Sequence, residues 1–550
     1  MNPSRDGGRR PPRVGGVLDA DLPAVRPAAA AWLARGFRPL EALFNRVYGS
    51  RWNPLYKSGP LAILFLLVTL VTGVYLFIFY KVADPYGSVA RLDATWLGSL
   101  VRSLHRYAAD LAVVAIAIHA LKMLLAGRTW GPRSLAWRSG LVLLGGVLFC
   151  GWTGLVMAWD VQGQWIAWEG ARLLDLLPVL SEPISRSFVR PGSVDRPFFF
   201  TNLFLHVALP LGVAGLLWVH ASRVARPEML PPRKMMVWTL VLLGALSILV
   251  PVPLPPEADL LARPVDVPLD VFYAFWLPVA RALPAWGHLA LWVAVALVLF
   301  SLPAWWRPRR AVLPASSVDE SRCTGCSTCY EDCPFDAIAM VERAEPSSLS
   351  LTVARVDPEL CVSCGICSGS CAPMGVGPPN RTGREQLGRV RDFVAAHDDL
   401  AGRVAVVSCR HAFDGVTDGA LDRALRGDDG SFVLTSGCPG SVHTSSLEAL
   451  LSHGAAGVFV LTCPPRDCLY REGPKWLEQR IYFEREAELQ SRVDRRRVRI
   501  AAFGPGEAAR AADAIEAFER DLAATKLEDG ALDAGAQECD VRDAYVEEVV

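Results

Sequence analysis

The sequence predicts a multidomain chain: an all-α bundle of six membrane-spanning helices, a small α+β domain, and an α/β domain built on a parallel sheet. Three observations predict it. Of the 550 residues, 52% are hydrophobic and only 20% charged, more apolar sequence than one soluble core can hide. Eight of the 14 Cys crowd into two short runs between Cys323 and Cys371. Beyond Arg403, short Val-rich runs alternate with helix-like pieces. The 56 Lys plus Arg balance 56 Asp plus Glu, so no basic field argues for nucleic acid and no acidic excess for disorder.

Residues 1–50 read as a basic N-terminal tail with an amphipathic helix. Its start, MNPSRDGGRRPPRVGG, has no apolar stretch behind it, so a cleaved signal peptide is not expected. Residues 51–310 form the membrane domain, with spans at Gly59 to Tyr80, Tyr107 to Leu125, Gly140 to Trp159, Asn202 to Ala221, Val237 to Val252 and Trp286 to Ala304. Basic residues crowd the tail, the loops Arg128 to Arg138 and Arg223 to Lys234, and Arg307 to Arg310. Alternating spans put all of these on one side, the cytoplasm, with both termini. The expected location is therefore the cell inner membrane, multi-pass. The loops Ser181 to Thr201 and Pro253 to Ala285 fall on the other face, and their prolines predict short surface helices and turns.

Residues 317–377 hold the Cys runs, 378–402 read as a linker, and 403–508 as the α/β domain. RVAVVS, SFVLTS, AGVFVLT and RRVRIAAF are its expected parallel strands, with SLEALLSHG and a long charged helix from Lys475 to Val493 between them. Residues 509–550 read as a terminal helix and an acidic tail. The free thiols in these domains fit a reducing compartment and metal binding, not a secreted disulfide scaffold.

Four of the nine His lie in two of the spans, His105 with His119 and His206 with His220, each pair 14 residues apart. Fourteen residues bring two side chains to within about 40° on one helix face, roughly 21 Å apart along the axis. If the two helices run the same way, His105 meets His206 and His119 meets His220, which makes two bis-His iron sites stacked across the bilayer. A lone intramembrane His is accounted for by a hydrogen bond to a neighbouring helix; two pairs at one spacing are not. Gly59 with Gly73, and Gly140 with Gly154, repeat the same 14-residue interval in the flanking spans. A flat macrocycle between helices needs such missing side chains, although Gly also serves plain helix packing.

RSLHRYAADLAVVAIAIHALK, TGLVMAWDVQGQWIAW and NLFLHVALPLGVAGLLWVH resemble the haem helices, and the helix between them, of cytochrome b of the respiratory bc complexes, particularly its shorter photosynthetic form. The resemblance covers residues 51 to about 306 and implies two haem b, a quinone substrate and a homodimer. By the same resemblance Arg102 and Arg106 would neutralise haem propionates. Two departures stand out. The family's outer quinol site carries P-E-W-Y, whose Glu accepts a proton; VPLDVFYAFWLPVARAL has no such Glu, which leaves Asp270 or Glu257 as substitutes and favours quinone reduction. Lys57 stands where the photosynthetic form has a Cys that attaches an additional haem, so only two haems are expected.

SRCTGCSTCYEDCPFDAI and ELCVSCGICSGSCAPMGV each give the C-x-x-C-x-x-C-x-x-x-C spacing of the two-cluster bacterial ferredoxin run. Three thiolates surround one cluster and the fourth Cys ligates the other. One [4Fe-4S] centre takes Cys323, Cys326, Cys329 and Cys371; the second takes Cys361, Cys364, Cys367 and Cys333. Eight Cys without His in this duplicated order argue against zinc knuckles.

A third Cys group follows the strands: Cys409 after RVAVVS, Cys438 after SFVLTSG, Cys463 after AGVFVLT, and Cys468 five residues on. In a parallel sheet all four share the carboxyl edge, where cofactors bind. Thiolates there suit a [2Fe-2S] cluster or zinc, with His411, His443 and His453 as nearby polar residues. CPGSVHTSSLEALLSHGAAGVFVLTCPPRDCLYREGPKWLEQRIYFEREAEL is similar to the delta, iron-sulfur subunit of methyl-viologen-reducing hydrogenase. That resemblance implies a [2Fe-2S] cluster and electron exchange with a hydrogenase or a heterodisulfide-reductase A-type flavoprotein. Cys438, Cys463 and Cys468 fall on its motif; Cys409 matches the first Cys of a C-x-x-C whose second position here is Ala412. Cys150 and Cys539 read as packing and incidental.

The expected function is an electron-transfer subunit of a quinone-linked oxidoreductase, joining a cytoplasmic flavoprotein to the quinone pool. No nucleotide fingerprint precedes a helix, so the primary dehydrogenase is expected on another chain. The alternatives are a redox anchor or sensor without quinone turnover, and a modified bc-type complex that oxidises quinol and passes electrons to the cytoplasmic clusters.

Overall fold

The computed structural model describes residues 18, 28–130, 133–176, 184–189, 194–222, 228–261, 270–306, 314–345, 347–397, 400–412, 432–464, 467–470 and 472–532. It divides into two compact units, Lys57–Arg307 and the remainder of the chain. The basic stretches 223–227 and 307–310, and Cys539, lie outside the described residues.

In chain order, the first helix, α1 (Ala28–Tyr48), belongs to the second of these units. The membrane unit then runs α2 (Ser58–Phe79), α3 (Pro85–Asp93), α4 (Trp96–Leu125), α5 (Ser134–Ala158), α6 (Val161–Leu174), α7 (Arg196–Ser222), α8 (Arg233–Leu249), α9 (Leu277–Ala282) and α10 (Ala285–Trp305). Side-chain caps set the starts: Asp84 accepts from Gly87 N–H ahead of α3, Thr95 from Gly98 N–H ahead of α4, and Asp160 from Gly163 N–H ahead of α6. Trp159, at φ 50, ends α5 in the left-handed region and turns the chain sharply into α6. Helix α2 packs along α4, and α5 along α7.

Five of these helices are long and apolar enough to cross a membrane: α2, α4, α5, α7 and α10. The expected fifth span, Val237 to Val252, is α8, which has only 17 residues. At about 1.5 Å per residue it reaches roughly 25 Å, at the short end for a span, so among the described residues five of the six expected spans are present at full length. A 3-10 turn at Ile184–Val189 and α9 form the short helices that the prolines predicted, while α6 lies outside both of those loops. Val156, Trp159, Ile166, Phe188, Phe199 and Leu277 close an aromatic core there.

In the second unit α1 is no free tail. Asn45 on α1 is fully buried; its Nδ2 donates to the Pro505 carbonyl and to Tyr56 Oη, both at 3.0 Å. Ser50 N–H donates to Glu507 Oε1 at 3.2 Å. The Cys runs follow as two small antiparallel pairs, β1 (Ser317–Val318) with β4 (Val376–Gly377) and β2 (Ile338–Glu342) with β3 (Thr352–Val356), and two one-turn helices, α11 (Thr328–Glu331) and α12 (Ile366–Gly369).

The expected linker 378–402 contains a packed helix, α13 (Gly383–Ala395), opened by a capping box between Thr382 and Glu385. Four strands then pair in parallel in the order β6-β5-β7-β8: β5 (Val404–Cys409), β6 (Phe432–Ser436), β7 (Gly457–Thr462) and β8 (Val498–Ala502). All four sequence-predicted strands are present. Helices α13, α14 (Thr444–Ser452) and α15 (Gly473–Tyr482) cover one face, where Val390, Leu447, Leu450 and Leu477 meet Ala405, Val407, Val458 and Val460. Helix α16 (Ala508–Leu532) covers the other with Ile515 and Phe518 on Val404, Val406 and Phe459. The two strand registers alternate between faces, as period 2 requires. The long charged helix expected to Val493 stops at Tyr482, because Glu484 (φ 54) and Ala487 (φ 62) take left-handed backbone that a helix cannot contain.

Candidate functional site

In the membrane unit α4 and α7 bring the rings of His105 and His206 together, with centroids 6.4 Å apart and planes tilted by 55°. Metal–imidazole bonds of about 2.0 Å, plus about 1.1 Å from nitrogen to ring centre on each side, call for roughly 6.2 Å. The centroid separation is of the size that one metal atom shared by the two rings would require. The hydrogen bonds of both rings are made at Nδ1. His206 Nδ1–H donates to the Cys150 carbonyl at 2.9 Å and lies 3.0 Å from Thr153 Oγ1; His105 Nδ1 lies 3.0 Å from Thr72 Oγ1. In both, Nε2 is the nitrogen left to ligate.

Each of the four glycines sits against one of the four His. A Cβ on Gly73 would come within 3.2 Å of the His105 ring, on Gly154 within 2.9 Å of His206, on Gly59 within 3.2 Å of His119 and on Gly140 within 3.2 Å of His220. The space these glycines provide is thus for the imidazoles; the sequence reading assigned it to a macrocycle. Ser139 Oγ lies 3.0 Å from His220 Nδ1. Thr72, Ser139, Thr153 and Cys150 were not legible as site residues, although Thr72 directly precedes Gly73, and Ser139 directly precedes Gly140. Cys150 does more than pack, since its Sγ is 3.7 Å from His206 Nδ1.

Arg102 and Arg106 are committed to protein partners where the resemblance implied propionates. Arg102 Nε donates to Asp93 at 2.8 Å and its Nη2 to the Val252 carbonyl. Arg106 pairs with Asp110 at 3.3 Å and with Asp270, and lies over Tyr273. Asp270, offered as a substitute proton acceptor, is buried; besides Arg106 it accepts from the backbone N–H of Phe272 and Tyr273 at 2.9 and 2.6 Å. Glu257 is exposed. Lys57 is ion-paired with Glu228 at 3.3 Å.

In the second unit the two Cys runs fold with the same backbone. Left-handed residues recur at matching places: Gly325 and Ser327 against Ser363 and Gly365, and Asp336 against Met374. Cys323, Cys326, Cys329 and Cys371 line one cavity, together with Val318, Met340 and Val376. This brings the fourth Cys of the second run to the first three of the first run. The reciprocal set is also drawn together, since Cys333 and Cys361 are the charged neighbours felt by both Cys364 and Cys367. Among the described residues, no three His, Cys, Asp or Glu side chains close on one point as the shell of a bare ion would. A cavity framed by four thiols fits a group several atoms across.

Backbone N–H groups point at the sulfurs: Gly375 to Cys371 at 3.2 Å, Ala337 to Cys333 at 3.4 Å, and Ser316 and Ser363 to Cys361 at 3.4 Å. Such donors favour the thiolate. Burial opposes them: it pushes the Cys367 thiol up to about 12 and the Cys364 thiol well above its ordinary value. Loading must therefore expel protons from these thiols.

At the carboxyl edge of the sheet Cys409, Cys438, Cys463 and Cys468 are all buried. Cys409 Sγ lies 3.8 Å from Cys463 Sγ. Contacts with Cys468, then burial, raise the Cys438 thiol; contacts with Cys409 and Cys468, then burial, raise that of Cys463. Four buried thiols therefore neighbour one another, a donor set of the kind that holds a small iron-sulfur cluster. A Cβ on Gly473 would collide with Cys438 Sγ, which accounts for glycine there. Ala412 is buried beside Cys409. His411 packs edge-on to Tyr470 and His453 Nδ1 lies 2.7 Å from the Ala449 carbonyl. Burial, then Arg480, lower the pKa of His443 to about 4. Its Nδ1 accepts from Ser445 N–H and its Nε2–H donates to the Cys371 carbonyl at 3.2 Å.

Comparison with known proteins gives three family matches. Residues 44–226 match cytochrome b/b6, residues 322–375 a 4Fe-4S dicluster domain, and residues 404–525 the delta subunit of methyl-viologen-reducing hydrogenase. Cytochrome b6 of Heliobacterium mobile is 30% identical over 172 residues, covering 30% of this chain and 81% of that protein. Cytochrome b6 of Gloeobacter violaceus is 31% identical over 144 residues, 26% of this chain and 66% of that protein. A solved structure titled hyperthermophilic respiratory Complex III aligns at TM-score 0.36 and 19% identity, over 46% of this chain and 75% of that one.

Proposed function

The chain belongs to the cytochrome b/b6 family through its membrane part, and from that premise we propose that it is the electron-transfer subunit of a quinone-linked oxidoreductase. It is an integral membrane protein whose haem-family and 4Fe-4S parts serve electron transfer. In this reading it passes electrons between a cytoplasmic flavoprotein or hydrogenase partner and the quinone pool, with the primary dehydrogenase on another polypeptide. The inner membrane, with the Cys-bearing domains in the cytoplasm, is its proposed location.

Bound haem and iron-sulfur clusters supply one-electron carriers of graded potential. The protein's part is ligation and insulation. His105 with His206, and His119 with His220, would each hold one b haem; Thr72, Thr153, Ser139 and the Cys150 carbonyl would fix the ring orientation. Cys323, Cys326, Cys329 and Cys371 would hold one [4Fe-4S] cluster, and Cys361, Cys364, Cys367 and Cys333 the other. Cys409, Cys438, Cys463 and Cys468 would hold a [2Fe-2S] cluster. Arg102 and Arg106 have a smaller part here than propionate binding, since Asp93, Asp110 and Asp270 engage them.

The observation that carries the reading is the 6.4 Å bis-His spacing in a chain that also gathers twelve cysteines into three sets. Arg106 engages Asp270, one of the two carboxylates that could stand in for the missing Glu, and this favours quinone reduction over quinol oxidation. Anaerobic purification in mild detergent tests the whole. A flavoprotein or hydrogenase should co-purify, and added menaquinol should leave the haems largely oxidised. Co-purification of a Rieske protein and a c-type cytochrome, with rapid haem reduction by menaquinol, would replace this reading with a modified bc-type complex.

A further inference from the structure

Arg480, on α15, is fully buried, and only part of its guanidinium is accounted for. Nε donates to the Trp476 carbonyl at 3.0 Å and Nη2 to the Gly440 carbonyl at 2.7 Å, while Nη1 finds no acceptor. Two neutral carbonyls do not balance a charge, and a buried cation is retained only against a compensating one. The neighbouring carboxylate, Asp332, is fully buried but already taken: Arg485 holds it at 2.6 Å and the Ser370 hydroxyl at 2.6 Å. The surroundings point to where the compensation lies.

Nη1 lies against Gly369, where a Cβ would collide with it, and Gly369 ends the one-turn helix α12 between Cys367 and Cys371. Gly440, the acceptor for Nη2, follows Cys438 by two residues. Trp476, Ile366 and Cys438 share one buried apolar layer, with Cys364 packed against it. The guanidinium thus stands between the loop that carries Cys438 and the segment that carries Cys367.

Resting on the proposed cluster sites, we propose that Arg480 is the buried countercharge of the iron-sulfur relay, placed between the Cys333, Cys361, Cys364 and Cys367 site and the site containing Cys438, and that it raises the reduction potentials of both. Reduction adds one electron to a cluster already made anionic by four thiolates, with no bond broken and no proton taken up. A fixed cation in a dry layer favours that added charge. Burial lowers the pKa of Arg480 to about 10, against the opposing pull of Asp332 and Cys438, so it stays charged at neutral pH.

The test is an EPR-monitored redox titration of the full-length protein in detergent, comparing Arg480→Gln, Arg480→Lys and Asp332→Asn with the parent. Arg480→Gln should lower the ratio of reduced to oxidised cluster at fixed ambient potential at least tenfold at both sites, about 59 mV for a one-electron couple. Arg480→Lys should stay within about threefold of the parent. Asp332→Asn, which removes a competing negative charge, should shift the same two centres in the opposite direction. The centre at Cys323, Cys326, Cys329 and Cys371 and both haems should move less than either. Unchanged potentials in loaded Arg480→Gln, or equal shifts in the Gln and Lys variants, overturn the proposal. If Arg480→Gln fails to load, a downward or null shift in Asp332→Asn overturns it. Absence of any third-cluster signal in the parent would instead refute the [2Fe-2S] reading, and the centre at Cys333, Cys361, Cys364 and Cys367 would still report on Arg480.

Discussion

The four glycines that face the four His show how a single missing side chain can decide cofactor binding. Gly154 is the tightest, with a Cβ position 2.9 Å from the His206 ring. Leucine there would force the imidazole off the Nδ1 bond to the Cys150 carbonyl, in a helix pair with little room to yield. Overpacking of this kind costs about 1–3 kcal/mol. Gly154→Leu should therefore lower retention of one haem about 5- to 150-fold and leave the other, so that pyridine haemochrome analysis finds about one haem per chain in place of two. Retention of both haems with unshifted spectra would remove His206 from the site. The 14-residue interval of these glycines is plain in the sequence, because iron ligation and helix geometry both constrain it. Thr72, Ser139 and Thr153 are not, because a hydroxyl in a membrane helix usually bonds its own i−4 carbonyl, as Thr69 does with Phe65.

Among the elements, α13 is the clearest departure from the sequence reading. Its amphipathic face, Val390, Phe393 and Val394, is short and set among charged residues, so residues 378–402 look like a linker until the surface they cover is present. The capping box is the local signal that marks it. Thr382 and Glu385 close the first turn while Gln386 donates to the Ser441 carbonyl at 2.9 Å, tying the Cys438 loop to the helix. Thr382→Ala should destabilise this turn by about 1 kcal/mol, and amide exchange across 383–395 should quicken about fivefold with β5 and β7 unaffected. Equal acceleration in the strands would mean that α13 opens only with the whole domain. The opposite error, the helix expected to Val493, has a comparable cause: charge pattern favours helix through the segment, and only tertiary contacts hold Glu484 and Ala487 left-handed. Thr444 Oγ1 donating to the Ala487 carbonyl at 2.8 Å is one of them.

For the molecule as a whole, three sets of candidate ligands are legible in the sequence because each follows particular residue types at fixed spacing. What joins the Cys-bearing parts is not, since it depends on residues far apart in sequence: Arg485 with Asp332, Thr328 with Glu486, His443 with the Cys371 carbonyl. These contacts join the Cys runs and the α/β domain within one compact unit. That continuity separates loading from throughput. Cys463→Ser removes one thiol from a buried four-thiol group, yet it touches neither the cavity at Cys323, Cys326, Cys329 and Cys371 nor the His105 and His206 pair. The variant should keep both [4Fe-4S] signals and the full haem spectrum, and dithionite should still reduce the haems. Reduction by the co-purifying partner should fall at least 100-fold in stopped-flow absorbance, since electrons entering at the third site would lose their first carrier. Undiminished reduction by the partner would place the entry point at the [4Fe-4S] pair and leave the third site a structural role, for which zinc serves as well as iron.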